Sequence, residues 1–122
     1  MNGLLPDFTN AIVRRPAASF ASGITTRGYL GLPTLAETHA AFDTYVAALR
    51  AAGLTVTELP ALEEHPDAHF VEDPAVLFHD TAFICRPATV SRRGEETLMA
   101  PSLAGFRRVY AKGDATIEGG DV

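Results

Sequence analysis

The chain has 122 residues, 47% hydrophobic and 20% charged, which is enough for one folded domain with its own core and excludes both a second full domain and global disorder. Fifteen acidic side chains against ten basic ones give a net charge of −5, so the basic footprint of a nucleic-acid binder is missing and small or cationic partners fit better. A single cysteine, Cys85, rules out an internal disulfide and a multi-cysteine metal site and suits a reducing compartment, so a cytoplasmic location is expected.

The first ten residues carry no basic side chain and no apolar run of signal-peptide length, and no later segment approaches a membrane span; secretion and membrane insertion are not expected. Ala11-Ile12-Val13 is a short apolar run ended by Arg14-Arg15-Pro16. Proline lacks the N–H that a ladder needs, so a buried strand should stop there. Residues 17–33 are rich in Ser, Thr, Gly and Pro without a sustained period and read as a long loop of the kind that often carries function. Thr34 and Glu37 form a capping box, and Leu35, Phe42, Val46 and Leu49 share a helical face until Gly53 supplies a left-handed stop. The opposite face, with Asp43 and Arg50, should stay in water. Residues 54–59 alternate through Val56 up to Pro60 and predict a second strand.

An acidic loop follows over residues 60–74, with Glu63, Glu64, Asp67, Glu72 and Asp73. Residues 75–78 and 82–85 are β-rich runs around His79-Asp80-Thr81, the spacing of an antiparallel hairpin. Beyond Pro87 and Gly94, the spacing of Leu98, Leu103, Phe106 and Val109 predicts a helix over 95–110, kinked or started by Pro101. Residues 115–118 should form a further short strand. Arg15-Pro16-Ala17 recurs as Arg86-Pro87-Ala88, and Thr26-Arg27-Gly28 recurs more weakly as Arg92-Arg93-Gly94. Strand, loop, helix and strand are thus written twice, as in stacked repeats that need more than two copies to close a core. That count, and an apolar stretch entering a turn at Ile117-Glu118-Gly119-Gly120-Asp121-Val122, lead us to expect a truncated chain.

Two clusters could carry chemistry. Phe70-Val71-Glu72-Asp73-Pro74 reads either as a solvated acidic loop before a strand or as a cation site. Carboxylates in a partly desolvated cleft bind a planar guanidinium through paired, charge-assisted hydrogen bonds that an ammonium cannot reproduce. Ser91-Arg92-Arg93-Gly94 reads either as a solvated turn or as a grip for a carboxylate. A ligand using both clusters would be arginine-like. His39, His65, His69 and His79 are scattered without the spacing of a zinc motif, so no metal is expected. Cys85 lies in an apolar run and reads as an inert core thiol.

In order along the chain, Ile12-Val13-Arg14-Arg15-Pro16, Ser22-Gly23-Ile24-Thr25, Pro66-Asp67 with Phe70-Val71-Glu72-Asp73-Pro74, Ser91-Arg92-Arg93-Gly94-Glu95 and Ile117-Glu118-Gly119-Gly120-Asp121 resemble the dimethylarginine dimethylaminohydrolases, within the guanidino-group-modifying superfamily of arginine deiminases and amidinotransferases. The resemblance implies an α/β fold, a pseudo-five-fold propeller (pentein) of which this chain is the first two modules, about 8–60 and 70–118, and the start of a third. It implies a catalytic Glu118 that orients the guanidinium, with Ile24, Asp67, Phe70, Glu72, Asp73, Arg92 and Arg93 at the substrate. In that scheme the backbone of Ile24 contacts the ligand, Asp67 lies near its amino group, Glu72 and Asp73 form the acidic pair, and Arg92 holds its carboxylate. No cofactor is implied. The family's cysteine nucleophile and its acid–base histidine have no match among these residues.

The expected function is therefore the substrate-binding half of a hydrolase releasing citrulline and an amine from methylated arginine, inactive by itself. An arginine deiminase or amidinotransferase relative is the nearer alternative. A non-catalytic association module, pairing with itself as a homo-oligomer or with missing C-terminal modules, is the more distant one.

Overall fold

The computed structural model describes residues 7–25 and 28–122. The first half is one β-α-β unit. Strand β1 (Asn10–Arg14) runs parallel to β2 (Thr55–Leu59), with Asn10 opposite Thr55 and Arg14 opposite Leu59. Parallel neighbours need a crossover, and helix α1 (Leu35–Ala51) supplies it. Its start is the expected capping box: the Glu37 N–H donates to the Thr34 hydroxyl at 3.2 Å, and the Thr34 N–H donates to the Glu37 carboxylate at 2.7 Å. Two residues beyond its last turn Gly53 sits at φ +92°, a conformation that a β-carbon disfavours.

Phe42 and Val46 on α1 close over Val13, with Leu49 and Val56 packed alongside. The outer face is less bare than expected. Arg15 bonds Asp43 at 2.7 Å and Glu58 at 3.4 Å, and Arg50 bonds Glu58 at 2.9 Å, which ties the helix to β2. These groups are largely exposed, so the chain of ions adds about 1 kcal/mol or less per pair. Between β1 and α1 the long loop contains 3-10 turns at Ala18–Ser22 and Gly28–Leu30. Thr26 and Arg27, two of the three residues in the first copy of the weaker sequence echo, lie outside the described residues.

The second half is a three-stranded sheet in the order β3 (Ala75–Phe78), β4 (Thr81–Ile84), β5 (Arg107–Tyr110). The expected hairpin forms: β3 and β4 are antiparallel, and the turn residue His79 takes φ +52°. Two expectations fail. Residues 95–110 do not form one helix, because α2 ends after five residues (Glu95–Met99) and continues as a 3-10 turn over Ala100–Leu103 with Pro101 in its first positions. Proline brings no N–H to the helix ladder. The chain then emerges as β5 on the open edge of β4, parallel to it. Residues 115–118 likewise form no strand. Ile117 makes one isolated bridge, its N–H donating to the Arg86 carbonyl at 3.0 Å, before a 3-10 turn at Gly119–Asp121.

Each half thus has a strand, an Arg-Pro-Ala segment, a helix and a parallel second strand: β1-α1-β2 and β4-α2-β5. The core around Ala82, Ile84, Met99, Ala100 and Leu103 also receives Ile12 from β1 and Leu59 from β2, so the two halves share it. Among the described residues no helix is long and apolar enough to cross a membrane. Leu103 is 1% exposed, and its side chain fills the centre of this shared core. Leu103→Ala should therefore destabilise the chain by about 2–5 kcal/mol, seen as a lower urea midpoint at unchanged slope.

Candidate active site

Among the described residues, four buried charged side chains stand out: Arg14, Asp67, Arg92 and Glu95. Arg92 ends a 3-10 turn (Val90–Arg92) and Glu95 opens α2; Gly94 between them adopts φ +104°, which turns the chain so that the two side chains meet. Arg92 Nε lies 3.1 Å from both Glu95 carboxylate oxygens, and its Nη2 donates to Glu95 Oε2 at 2.7 Å. Nη2 also donates to the carbonyls of Asp67 (3.0 Å) and Phe70 (3.2 Å), while Nη1 donates to Asp73. Burial works against the Arg92 charge, but the hydrogen bonds to Glu95 and Asp73 outweigh it and raise its pKa above the ordinary value. A guanidinium has five N–H donors. At least four are committed here, so the paired grip on a ligand carboxylate expected of Arg92 is reduced to one N–H unless a protein contact breaks.

The acidic loop is held at three points. Glu63 accepts the N–H groups of Ala18 (3.0 Å) and Ser19 (3.2 Å) at the start of the first 3-10 turn. Asp67 Oδ2 accepts the Ile24 N–H at 3.1 Å, and a β-carbon at Gly23 would collide with the same carboxylate. Two residues singled out 43 positions apart in sequence are therefore in contact. Asp73 Oδ2 takes Arg92, its Oδ1 accepts the Gly120 N–H at 3.1 Å, and its carbonyl accepts the Gly119 N–H at 2.8 Å. A β-carbon at Gly119 would fall on the Glu72 carbonyl oxygen. The pair of glycines thus lets the Glu118 segment lie directly on the acid pair.

Within that pair the labour is divided. Asp73 turns inward to Arg92, whereas Glu72, one residue earlier in the same turn, is exposed on the rim of an open groove of 1080 Å³ that Gly119 also lines. Phe70 is 46% exposed beside the acids. Arg93 faces elsewhere, donating to the carbonyls of Pro87 and Ala88 at 3.3 and 3.4 Å. The structure therefore gathers Ile24, Asp67, Phe70, Glu72, Asp73, Arg92 and Glu118 and places Arg93 on the Arg-Pro-Ala segment. Sequence reasoning missed Glu63 and Glu95. Their signals, a carboxylate opposite unsatisfied turn N–H groups and an acid three residues after an arginine, are too common to single out in a sequence.

His69 stacks on Phe70 with ring centroids 4.2 Å apart, and burial lowers its pKa although the nearby Asp67 carboxylate opposes the shift. Nδ1 of His69, like that of His65, is buried without a hydrogen-bond partner. His39 Nε2 lies 2.8 Å from the Pro16 carbonyl. Cys85 is 1% exposed, and burial, followed by the charges of Asp73 and Glu118, pushes its thiol pKa up. That keeps it protonated and a poor nucleophile, as its apolar sequence context suggests. Among the described residues no group of three or more His, Cys, Asp or Glu side chains is arranged to hold a metal.

No family model matches the chain. It is 36% identical over 120 residues to the N(G),N(G)-dimethylarginine dimethylaminohydrolase of Pseudomonas aeruginosa, and 34% identical over 114 residues to that of Streptomyces coelicolor. These alignments cover 94% and 92% of this chain and 46% and 44% of the relatives, so the chain spans about half the length of the curated relatives it matches. A crystal structure of a dimethylarginine dimethylaminohydrolase adduct with S-methyl-L-thiocitrulline superposes with a TM-score of 0.88 at 34% identity, over 94% of this chain and 46% of that one. The N-terminal domain of the arginine dihydrolase ArgZ superposes at 0.80 with 14% identity, over 93% of this chain and 43% of that one, a likeness of fold alone. The resemblance read from the five ordered motifs is thus carried by sequence and structure alike, and the chain has the α/β fold of part of a pentein propeller.

Two outcomes follow from this geometry. Gly119→Ala should unlatch the Glu118 segment from the acidic loop, and with the Gly120 hydrogen bond to Asp73 worth about 1 kcal/mol, the Gly120 amide should exchange roughly fivefold faster. His69 is held neutral in the fold, so its contribution to stability is complete above its ordinary pKa of 6.5 and declines as the pH falls below it. His69→Gln should make denaturant stability less dependent on pH in that acid window.

Proposed function

We propose that this chain is the substrate-binding half of a cytoplasmic hydrolase that converts N-methylated arginine to citrulline and a methylamine. The observation that carries the reading is the convergence of Ile24 with Asp67, and of Glu118-Gly119-Gly120 with Glu72-Asp73, around one desolvated arginine. Support comes from the relatives named above, one of which has been crystallised with citrulline and is 34% identical to this chain. Asp67 and the Ile24 backbone form the end that takes a ligand amino group. Glu72 on the open side and Glu118, next to the groove-lining Gly119, take the guanidinium, with Asp73 behind them. Arg92 contributes one N–H to the carboxylate.

Chemistry on a guanidinium needs the substrate held flat and charged while a nucleophile attacks its central carbon. Paired carboxylates do the first, because charge-assisted hydrogen bonds to coplanar N–H groups fix the plane. A thiolate then displaces the methylamine, which leaves with a proton from an acid, and water releases citrulline from the thiouronium-type intermediate. Neither thiolate nor acid is assigned within these residues, since Cys85 is buried and protonated; a further part of the protein, continuing the modules at about 8–60 and 70–118, supplies both. The chain by itself binds and does not turn over.

The second reading, an association module, draws on the exposed Phe8, Leu77 and Phe78 around the 1080 Å³ groove. Titration of the chain with dimethylarginine and arginine, followed by amide shifts at Ile24, Asp73 and Gly120, separates the two. Glu72→Gln should weaken dimethylarginine about 10–150-fold, the effect of losing a charged hydrogen-bond partner worth about 1.5–3 kcal/mol. An unchanged affinity, or citrulline release that survives Cys85→Ser, overturns the assignment. Concentration-dependent self-association without ligand shifts would favour the second reading.

A further inference from the structure

Glu95 is the least exposed of the buried charged residues, at 3%. It touches neither the groove nor the open side of the acid pair, so it cannot meet a ligand directly. Its carboxylate instead faces two buried guanidiniums. Arg92 is forked onto it through Nε and Nη2. Arg14, which donates to the Pro60 carbonyl at 2.9 Å, lies close enough for the Glu95 charge to oppose its desolvation. A planar guanidinium clamped along one edge has the direction of its remaining donors decided. Those remaining donors are the ones that hold the Asp67 and Phe70 carbonyls together and pin Asp73.

From this geometry we infer that Glu95 is a positioning residue of the ligand site: it orients Arg92, and through Arg92 it sets the spacing of Asp67, Phe70 and Asp73. The inference rests on the guanidinium-binding reading above. Replacing the carboxylate by an amide keeps the shape and one acceptor but turns an N–H pair toward Arg92. The fork opens, Arg92 is free to rotate, and Asp67, Phe70 and Asp73 lose their common anchor.

The test is a double-mutant cycle on the 122-residue chain, with Kd for dimethylarginine measured by titration on samples whose far-ultraviolet dichroism matches the parent. Glu95→Gln should lower the affinity of the folded chain about tenfold and speed exchange of the Gly120 amide, and Arg92→Lys should do the same. Combined, the two substitutions should cost no more than either alone, because both act through one guanidinium. Should Glu95→Gln not fold, Glu95→Asp, which keeps the charge at shorter reach, takes its place in the same cycle. Additive losses, or a reduced melting temperature with unchanged Kd and Gly120 exchange, overturn the positioning role and leave the binding reading intact. Absence of saturable dimethylarginine binding by the parent chain overturns that reading and this inference with it.

Discussion

The geometry of the candidate site depends on one desolvated cation. A guanidinium at 7% exposure must have its donors met by protein, and Arg92 meets this demand by drawing on a helix start and on both the backbone carbonyls and an acid of the loop at residues 60–74. Glu95 supplies the counter-charge, the carbonyls of Asp67 and Phe70 supply neutral acceptors, and Asp73 supplies the second charge. Each demand shapes backbone elsewhere. Gly94 must be left-handed for Glu95 to return to Arg92, and residues 67–70 must curl so that two carbonyls point the same way.

The acids of the loop consequently serve two purposes. Glu63 and Asp67 hold the 17–25 segment by capping its free N–H groups, and Asp73 holds Arg92 and the Gly119-Gly120 turn. A carboxylate fastened in this way loses little further entropy when a ligand arrives, which is the physical content of preorganisation. Glu72 alone of the pair remains on the open side, with its backbone carbonyl pressed against Gly119. The net acidic charge of the chain is therefore not spread evenly over a solvated surface; part of it is built into a scaffold that aims a few oxygens at one place.

The departure at residues 95–110 has the same character. Met99, Ala100 and Leu103 do pack inward and Phe106 lies against them, while Leu98 stays 45% exposed; beyond them the open edge of β4 offers backbone hydrogen bonds that a continued helix could not use. With Pro101 already interrupting the ladder, pairing as β5 satisfies donors and acceptors that would otherwise face water or be buried unmet. Periodicity cannot report such a choice, since four residues of Arg-Arg-Val-Tyr carry no period of their own.

Residues whose roles are local were legible in the chain itself. The capping box of Thr34 and Glu37, the Gly53 stop, the Phe42 and Val46 face, the strands before Pro16 and Pro60 and the hairpin around His79 all follow from sterics and hydrogen bonding within a few residues. The acid pair and Arg92 stood out in the sequence as charged clusters suited to a guanidinium and a carboxylate, and Glu118 entered only through the family resemblance. What the sequence could not contain is contact across distance. Only the tertiary structure decided that Asp67 meets Ile24, that Gly119 and Gly120 lie on Asp73, that Arg92 is already occupied and Arg93 faces away, and that the Glu95 carboxylate is forked by Arg92. The reason is physical: a guanidinium or a carboxylate has the same identity in water or in a core, and only folding determines which donors and acceptors it must satisfy.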